Sequence, residues 1–186
     1  MAQRNIHPVN IIKSISELKK LKQKIANCSI IAFDFETTNG EFLTADICGI
    51  GIALSSQESY YIAMKDMPLQ LVKQELASIL KLKQLAGHNV IYDIMIGKRF
   101  GFDLNYYYDT KMMYHMLFPD ERETRLRHIA NKYLPNYKLI LLEDLIGSGR
   151  NKISVAEVPV EKMAEYSCRE TSAIMQCTDI LKSALQ

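Results

Sequence analysis

The chain has 186 residues and a formal net charge of +2. That length suits a single domain with a sizeable core, and the near-neutral balance excludes a global basic field, so any polyanion contact must come from a local patch. Four cysteines without CxxC spacing read as buried free thiols in a reducing compartment, and the lack of a secretory leader or membrane-length apolar run points to an intracellular protein with no membrane partner.

Residues 1–12 carry no clear period and read as a tail or a short first strand. Ser14 and Glu17 have capping-box spacing, and Leu18, Leu21 and Ile25 then recur at helical spacing. Lys19, Lys20, Lys22 and Lys24 fall mostly on the other side, as a solvated helix face does. Residues 1–27 are therefore expected to be a tail and helix packed on a domain formed by residues 28–186. The apolar run from Ile30 to Phe33 reads as a buried strand, but Asp34 and Glu36 follow before Thr37, Thr38, Asn39 and Gly40 end it. A strand repeats every two residues, so both acids point to one face. Two carboxylates that close repel each other, and burial adds to the cost. A divalent cation removes both penalties, and oxygen-only ligands suit Mg²⁺ or Mn²⁺. The plainer alternative is a strand end with two surface acids.

Residues 46–54 are apolar on both faces, as an interior strand should be, and a polar turn at 55–58 leads into a strand at 60–64. These three runs predict an antiparallel meander. Pro68 suits a first helical position before Leu69, Val72, Leu76, Ile79 and Leu80. Next come a short strand at 85–88, a helix over 91–100 closed by Gly101, a β-like run at 106–108, and a helix over 110–118 ended by Pro119. Residues 120–133 read as a helix rich in Arg122, Arg125 and Arg127. A helical turn at 141–146 and a flexible basic loop at 147–152 precede a long final helix over 160–185, opened by Pro159. No repeat or interdomain linker interrupts this, so the expectation is one α/β domain around a mixed sheet.

Three further stretches carry acids in suggestive places. Asp93 lies at a strand-to-helix turn, Asp109 is a good N-cap, and Tyr166 and Glu170 share a helix face. Each has an ordinary structural explanation when taken singly. His88 adjoins this region, but histidine is not expected in an oxygen-ligand metal pair; His115 reads as a hydrogen-bonded core residue.

In this order the motifs resemble the 3′–5′ proofreading exonuclease domain of family A DNA polymerases, in the tyrosine-containing branch of the DEDD superfamily. Asp-x-Glu matches at Asp34 and Glu36, the second motif at Asn89, Tyr92 and Asp93, and the third at Tyr166 and Glu170. The resemblance covers roughly residues 28 to 183 and implies a ribonuclease H-like mixed sheet flanked by helices. It implies hydrolysis of the terminal phosphodiester at a 3′ end, releasing a nucleoside 5′-monophosphate, with two Mg²⁺ or Mn²⁺ ions. Asp34 would bridge both ions, Glu36 and Glu170 would serve the nucleophile side, and Asp93 would help hold the second ion. Tyr166 would orient the attacking water. Thr37, Asn89 and Tyr92 match positions that contact the terminal nucleotide, and Leu142 an apolar residue that packs on its base. Arg122, Arg125, Arg150 and Lys152 are candidate phosphate contacts, with ordinary surface solubility as the alternative. Glu170 stands where the family carries aspartate; the extra methylene moves the carboxylate by roughly an ångström, a displacement that can cost on the order of a hundredfold in rate.

The expected activity is proofreading-type cleavage of single-stranded DNA 3′ ends, without an attached polymerase, with a separate DNA polymerase polypeptide as a candidate partner. One alternative is a non-catalytic nucleic-acid-binding module with the same fold. The other is RNA 3′ processing of the ribonuclease D kind.

Overall fold

The computed structural model describes residues 8–186; the first part of the expected tail, residues 1–7, lies outside them. A six-stranded mixed sheet is built from β1 (Val9–Ile12), β2 (Ile30–Thr37), β3 (Ile47–Ser55), β4 (Glu58–Ala63), β5 (Gln84–Gly87) and β6 (Tyr106–Asp109). Its spatial order is β1-β4-β3-β2-β5-β6. The β2–β3–β4 meander is antiparallel, and the pairings β1–β4, β2–β5 and β5–β6 are parallel. The helices are α1 (Ile15–Ala26), α2 (Leu69–Lys81), α3 (Ile91–Phe100), α4 (Thr110–Leu117), α5 (Leu126–Tyr133), α6 (Leu142–Ile146) and α7 (Val160–Ala184).

The alternation along β2 divides the core. Ile31, Phe33 and Phe35 pack with Leu18, Leu21 and Ile25 of α1 and Val72, Leu76 and Leu80 of α2. On the other face, Ala32, Ala53 and Ala86 form a low floor against Ala173 and Ile174 of α7. Asp34 and Glu36 continue the Ala32 row, so strand periodicity alone aims them toward α7.

The approach of α7 depends on small residues in β3. Asp34 pairs in register with Gly51, and Glu36 with Gly49. A Cβ on Gly51 would run into the Ser167 hydroxyl and lie 2.9 Å from the Thr171 methyl group. Glycine inside a strand often marks such a close approach. The N-terminal segment is built into the same fold: β1 pairs with β4, and Leu18, Leu21 and Ile25 are fully buried.

Three local expectations need correction. The helix expected over 120–133 starts only at Leu126. The Glu121 carboxylate is instead drawn to Lys132 at 2.8 Å, and Glu123 accepts the Arg125 backbone N–H at 3.1 Å. The second bond satisfies the Arg125 N–H, which a longer helix would have paired with the Glu121 carbonyl. His115 is exposed, because Met113 and Tyr114 take the inward positions of α4. The cysteines are free, but only Cys168 and Cys177 are buried; Cys28 and Cys48 are half-buried. The 147–152 loop contains a 3-10 turn at Gly149–Asn151.

Candidate active site

Three elements deliver the acids. β2 supplies Asp34 and Glu36, the first turn of α3 supplies Asp93, and α7 supplies Tyr166 and Glu170 one turn apart. One carboxylate oxygen from each of Asp34, Glu36 and Glu170 lies within 4.8 Å of the others. Asp93 stands outside this trio: it is 3% exposed, and its Oδ1 accepts the Phe35 N–H at 2.9 Å. That bond ties α3 to β2 between the two strand acids.

None of the four acids forms an ion pair among the described residues. Burial, then Asp93, Glu36 and Glu170, hold the Asp34 carboxyl well above the usual carboxylate range. Burial and the neighbouring Glu170 push Glu36 up to about 8, with the nearby Ser167 hydroxyl offsetting part of the rise. Burial raises Asp93 to about 7 against the Phe35 N–H, and Glu170 to about 7 against the Tyr166 hydroxyl. Burial, then Glu170, raises Tyr166 itself, which keeps it a neutral hydrogen-bond donor.

Whether this cluster suits a divalent cation can be judged from its donors. They are all carboxylate oxygens, and buried Glu36 Oε1 has no hydrogen-bond partner among the described residues. Buried polar atoms are rarely left so. Hard divalent cations take this donor set, so the residues fit such an ion.

A cleft of about 620 Å³ opens over Asp34 and Glu36, while Asp93 and Glu170 are not among its lining residues. It is lined by Asp34, Glu36 and Tyr166 together with Thr37, Asn89, Tyr92, Leu142 and Lys152. Thr37 Oγ1 lies 2.8 Å from the Tyr92 hydroxyl, which also donates to the Asn39 carbonyl at 2.9 Å. Arg122, Arg125 and Arg150 are not among the lining residues; Arg125 is paired with Glu123 instead. His88 is held by Thr110 Oγ1 at 2.9 Å, and burial pulls its imidazole down to about 4, so it is neutral at physiological pH.

Some contributors escaped the sequence reading. Ser167 lies beside Glu36, and Gly51 admits the helix that carries it. Glycines at 49 and 51 inside an otherwise apolar strand were the available signal. Asp109 caps α4 as expected, through the Lys111 N–H, but it also accepts the backbone N–H groups of Asn89 and Val90.

Residues 9–186 match the family model described as 3′–5′ exonuclease. DNA polymerase I of Chloroflexus aurantiacus is 29% identical over 193 residues, a match covering 96% of this chain and 20% of that protein. The chain thus spans about a fifth of the length of that curated relative. Among solved structures, Trypanosoma brucei RNase D in complex with RNA U12 has a TM-score of 0.76 at 11% identity, covering 95% of this chain and 63% of that one. The POL domain of Pol1 from M. smegmatis, in complex with DNA primer-template and dNTP, has a TM-score of 0.71 at 17% identity, covering 95% and 27%. At these identities the structural likeness shows the fold, a ribonuclease H-like mixed sheet flanked by helices. Taken with the match over nearly all of its length, the chain belongs to the 3′–5′ exonuclease family of the DEDD type.

Proposed function

We propose that the protein is a divalent-metal-dependent exonuclease that removes nucleoside 5′-monophosphates from DNA 3′ ends. The observation that carries this reading is the trio Asp34, Glu36 and Glu170, gathered without a paired cation among the described residues, with Asp34 and Glu36 lining a cleft. Asp34, Glu36 and Glu170, backed by Asp93, would hold Mg²⁺ or Mn²⁺, one ion or a pair. When bound, such ions lower the pKa of water and offset charge on the phosphodiester.

The chain's own residues do the rest. Tyr166, kept protonated, offers its hydroxyl to orient the attacking water. Thr37, Asn89 and Tyr92 line the cleft as contacts for the terminal nucleotide, and Leu142 supplies an apolar surface for its base. Lys152 is the cation on the cleft wall suited to a phosphate. The likeness to DNA polymerase I supports DNA as substrate and work beside a DNA polymerase.

Purified protein should release labelled 3′ nucleotides from single-stranded DNA with Mg²⁺ or Mn²⁺ and lose this activity in chelator. Retained DNA binding with no cleavage by either metal sinks the enzyme reading. The fold shared with RNase D supports RNA as the competing substrate, and matched DNA and RNA oligonucleotides digested in parallel decide between them.

A further inference from the structure

Asn89 sits in the turn between β5 and α3, and its φ of 61° is positive, unlike that of any other non-glycine residue described. Asparagine tolerates this left-handed conformation better than most residues, but it persists where surroundings over-determine it. The surroundings here are one carboxylate twenty residues along the chain. Asp109 Oδ1 accepts the Asn89 N–H at 2.9 Å, and Oδ2 accepts the Val90 N–H at 3.1 Å. The same Oδ1 accepts the Lys111 N–H at 2.9 Å and so caps α4. Two strand-to-helix turns are thereby joined at a single side chain.

The amide of Asn89 is set from the same place. Lys111 Nζ donates to Asn89 Oδ1 at 3.0 Å. An ammonium has only donors, so it selects the amide oxygen and leaves Nδ2 as the free donor. Asn89 lines the cleft, whereas Asp109 and Lys111 do not.

We propose that Asp109 and Lys111 are positioning residues for nucleotide binding. Asp109 holds the backbone of Asn89, and Lys111 turns its amide so that the NH₂ group meets an acceptor oxygen on the terminal nucleotide. This rests on the reading of the cleft as the nucleotide site.

The test separates capping from positioning. Asp109→Ser keeps a hydroxyl able to cap α4 but too short to reach Asn89 and Val90. Steady-state cleavage of labelled single-stranded DNA is compared for wild type, Asp109→Ser, Lys111→Met, Asn89→Ala and the doubles with Asn89→Ala. Asp109→Ser should raise KM roughly tenfold with kcat little changed, and Lys111→Met less, since lost hydrogen bonds of this kind act on binding. Neither should raise KM further in the Asn89→Ala background, because each acts through Asn89. A purely structural role would lower the melting temperature and leave KM alone. If Asp109→Ser does not fold, Asp109→Asn, which keeps one acceptor oxygen, should show the smaller KM rise. Unchanged KM in an active, folded variant, or effects that add to Asn89→Ala, overturns the proposal alone. A wild-type protein inactive with both metals overturns the exonuclease reading and this proposal with it.

Discussion

Glu36 and Glu121 are the same residue under opposite regimes. Glu121, at the α4–α5 junction, meets Lys132 at 2.8 Å, His128 at 3.3 Å and the Tyr114 hydroxyl, and these partners hold its carboxyl at about 2. Glu36 has three acids around it and no paired cation among the described residues, and is pushed up to about 8. An acid that fastens the fold arrives with its own counter-charge. The acids of β2, α3 and α7 have no such partner among the described residues, a stability cost that the proposed metal site accounts for.

The contrast breaks hardest at Asp34. Asp34→Ala should abolish release of labelled 3′ nucleotides while leaving the metal-free protein as stable as wild type or more so, because an acid crowded by like charges is gone. Thermal melts in chelator beside the cleavage assay read both effects. Residual cleavage near the wild-type rate would mean the trio is not the reaction centre.

Next in size is Gly51→Ala. The added methyl group collides with the Ser167 hydroxyl and the Thr171 methyl group; where these buried side chains do not turn aside, α7 retreats and takes Tyr166 and Glu170 with it. A shift near an ångström at a reacting group costs on the order of a hundredfold in rate. The melting temperature should fall as well, and an unaltered rate would show that the helix accommodates the methyl group without moving the site.

The pH dependence of metal-free stability sharpens the comparison. The folded-state values of Glu36, Asp93 and Glu170 lie above their ordinary values of 4.5, 3.8 and 4.5, at about 8, 7 and 7. Across that window the folded chain binds more protons than the unfolded chain, so stability falls as pH rises. His88 works the other way between its folded value of about 4 and its ordinary 6.5. The acid effect is therefore cleanest from pH 6.5 to 8, where the melting temperature in chelator should drop by several degrees. Adding Mn²⁺ should remove most of the drop. A flat profile in chelator, or no change with metal, would contradict the uncompensated charge.

How much of this the sequence disclosed follows from the range of the interactions. The shared face of Asp34 and Glu36 was readable because strand alternation is local, and so was the spacing of Tyr166 and Glu170 on α7. The meander was readable from turn chemistry and apolar runs. The reach of Asp109 to Asn89 was not, since only the folded sheet brings β6 beside β5. The false start of the helix at 120 had the same origin: Glu121 is claimed by Lys132, eleven residues on. His115 was misread because a half-apolar helix of eight residues does not reveal which face turns inward.

A smaller effect is expected at Glu170→Asp. It restores the family's residue and draws the carboxylate back by roughly an ångström. Cleavage should equal or exceed wild type. A clear fall in the rate of nucleotide release would mean that the approach of α7 to β2 has adapted to the longer side chain.

The smallest effect belongs to the counter-charged acid. Glu121→Gln loses the attraction to Lys132, but the pair is partly exposed, with side chains 34% and 38% accessible, so screening leaves little net energy. Its sign is opposite to that of the site acids. The folded value of about 2 lies below the ordinary 4.5, so Glu121 contributes stability above pH 4.5 that is lost as pH falls toward 2. The variant should therefore melt slightly below wild type at pH 7, with the gap closing near pH 2 and shrinking in 1 M salt. Its cleavage rate should match wild type, because neither Glu121 nor Lys132 lines the cleft. A substantial loss of activity at unchanged folding would join the two regions energetically, and the division between acids that fasten the fold and acids left without a counter-charge would no longer hold.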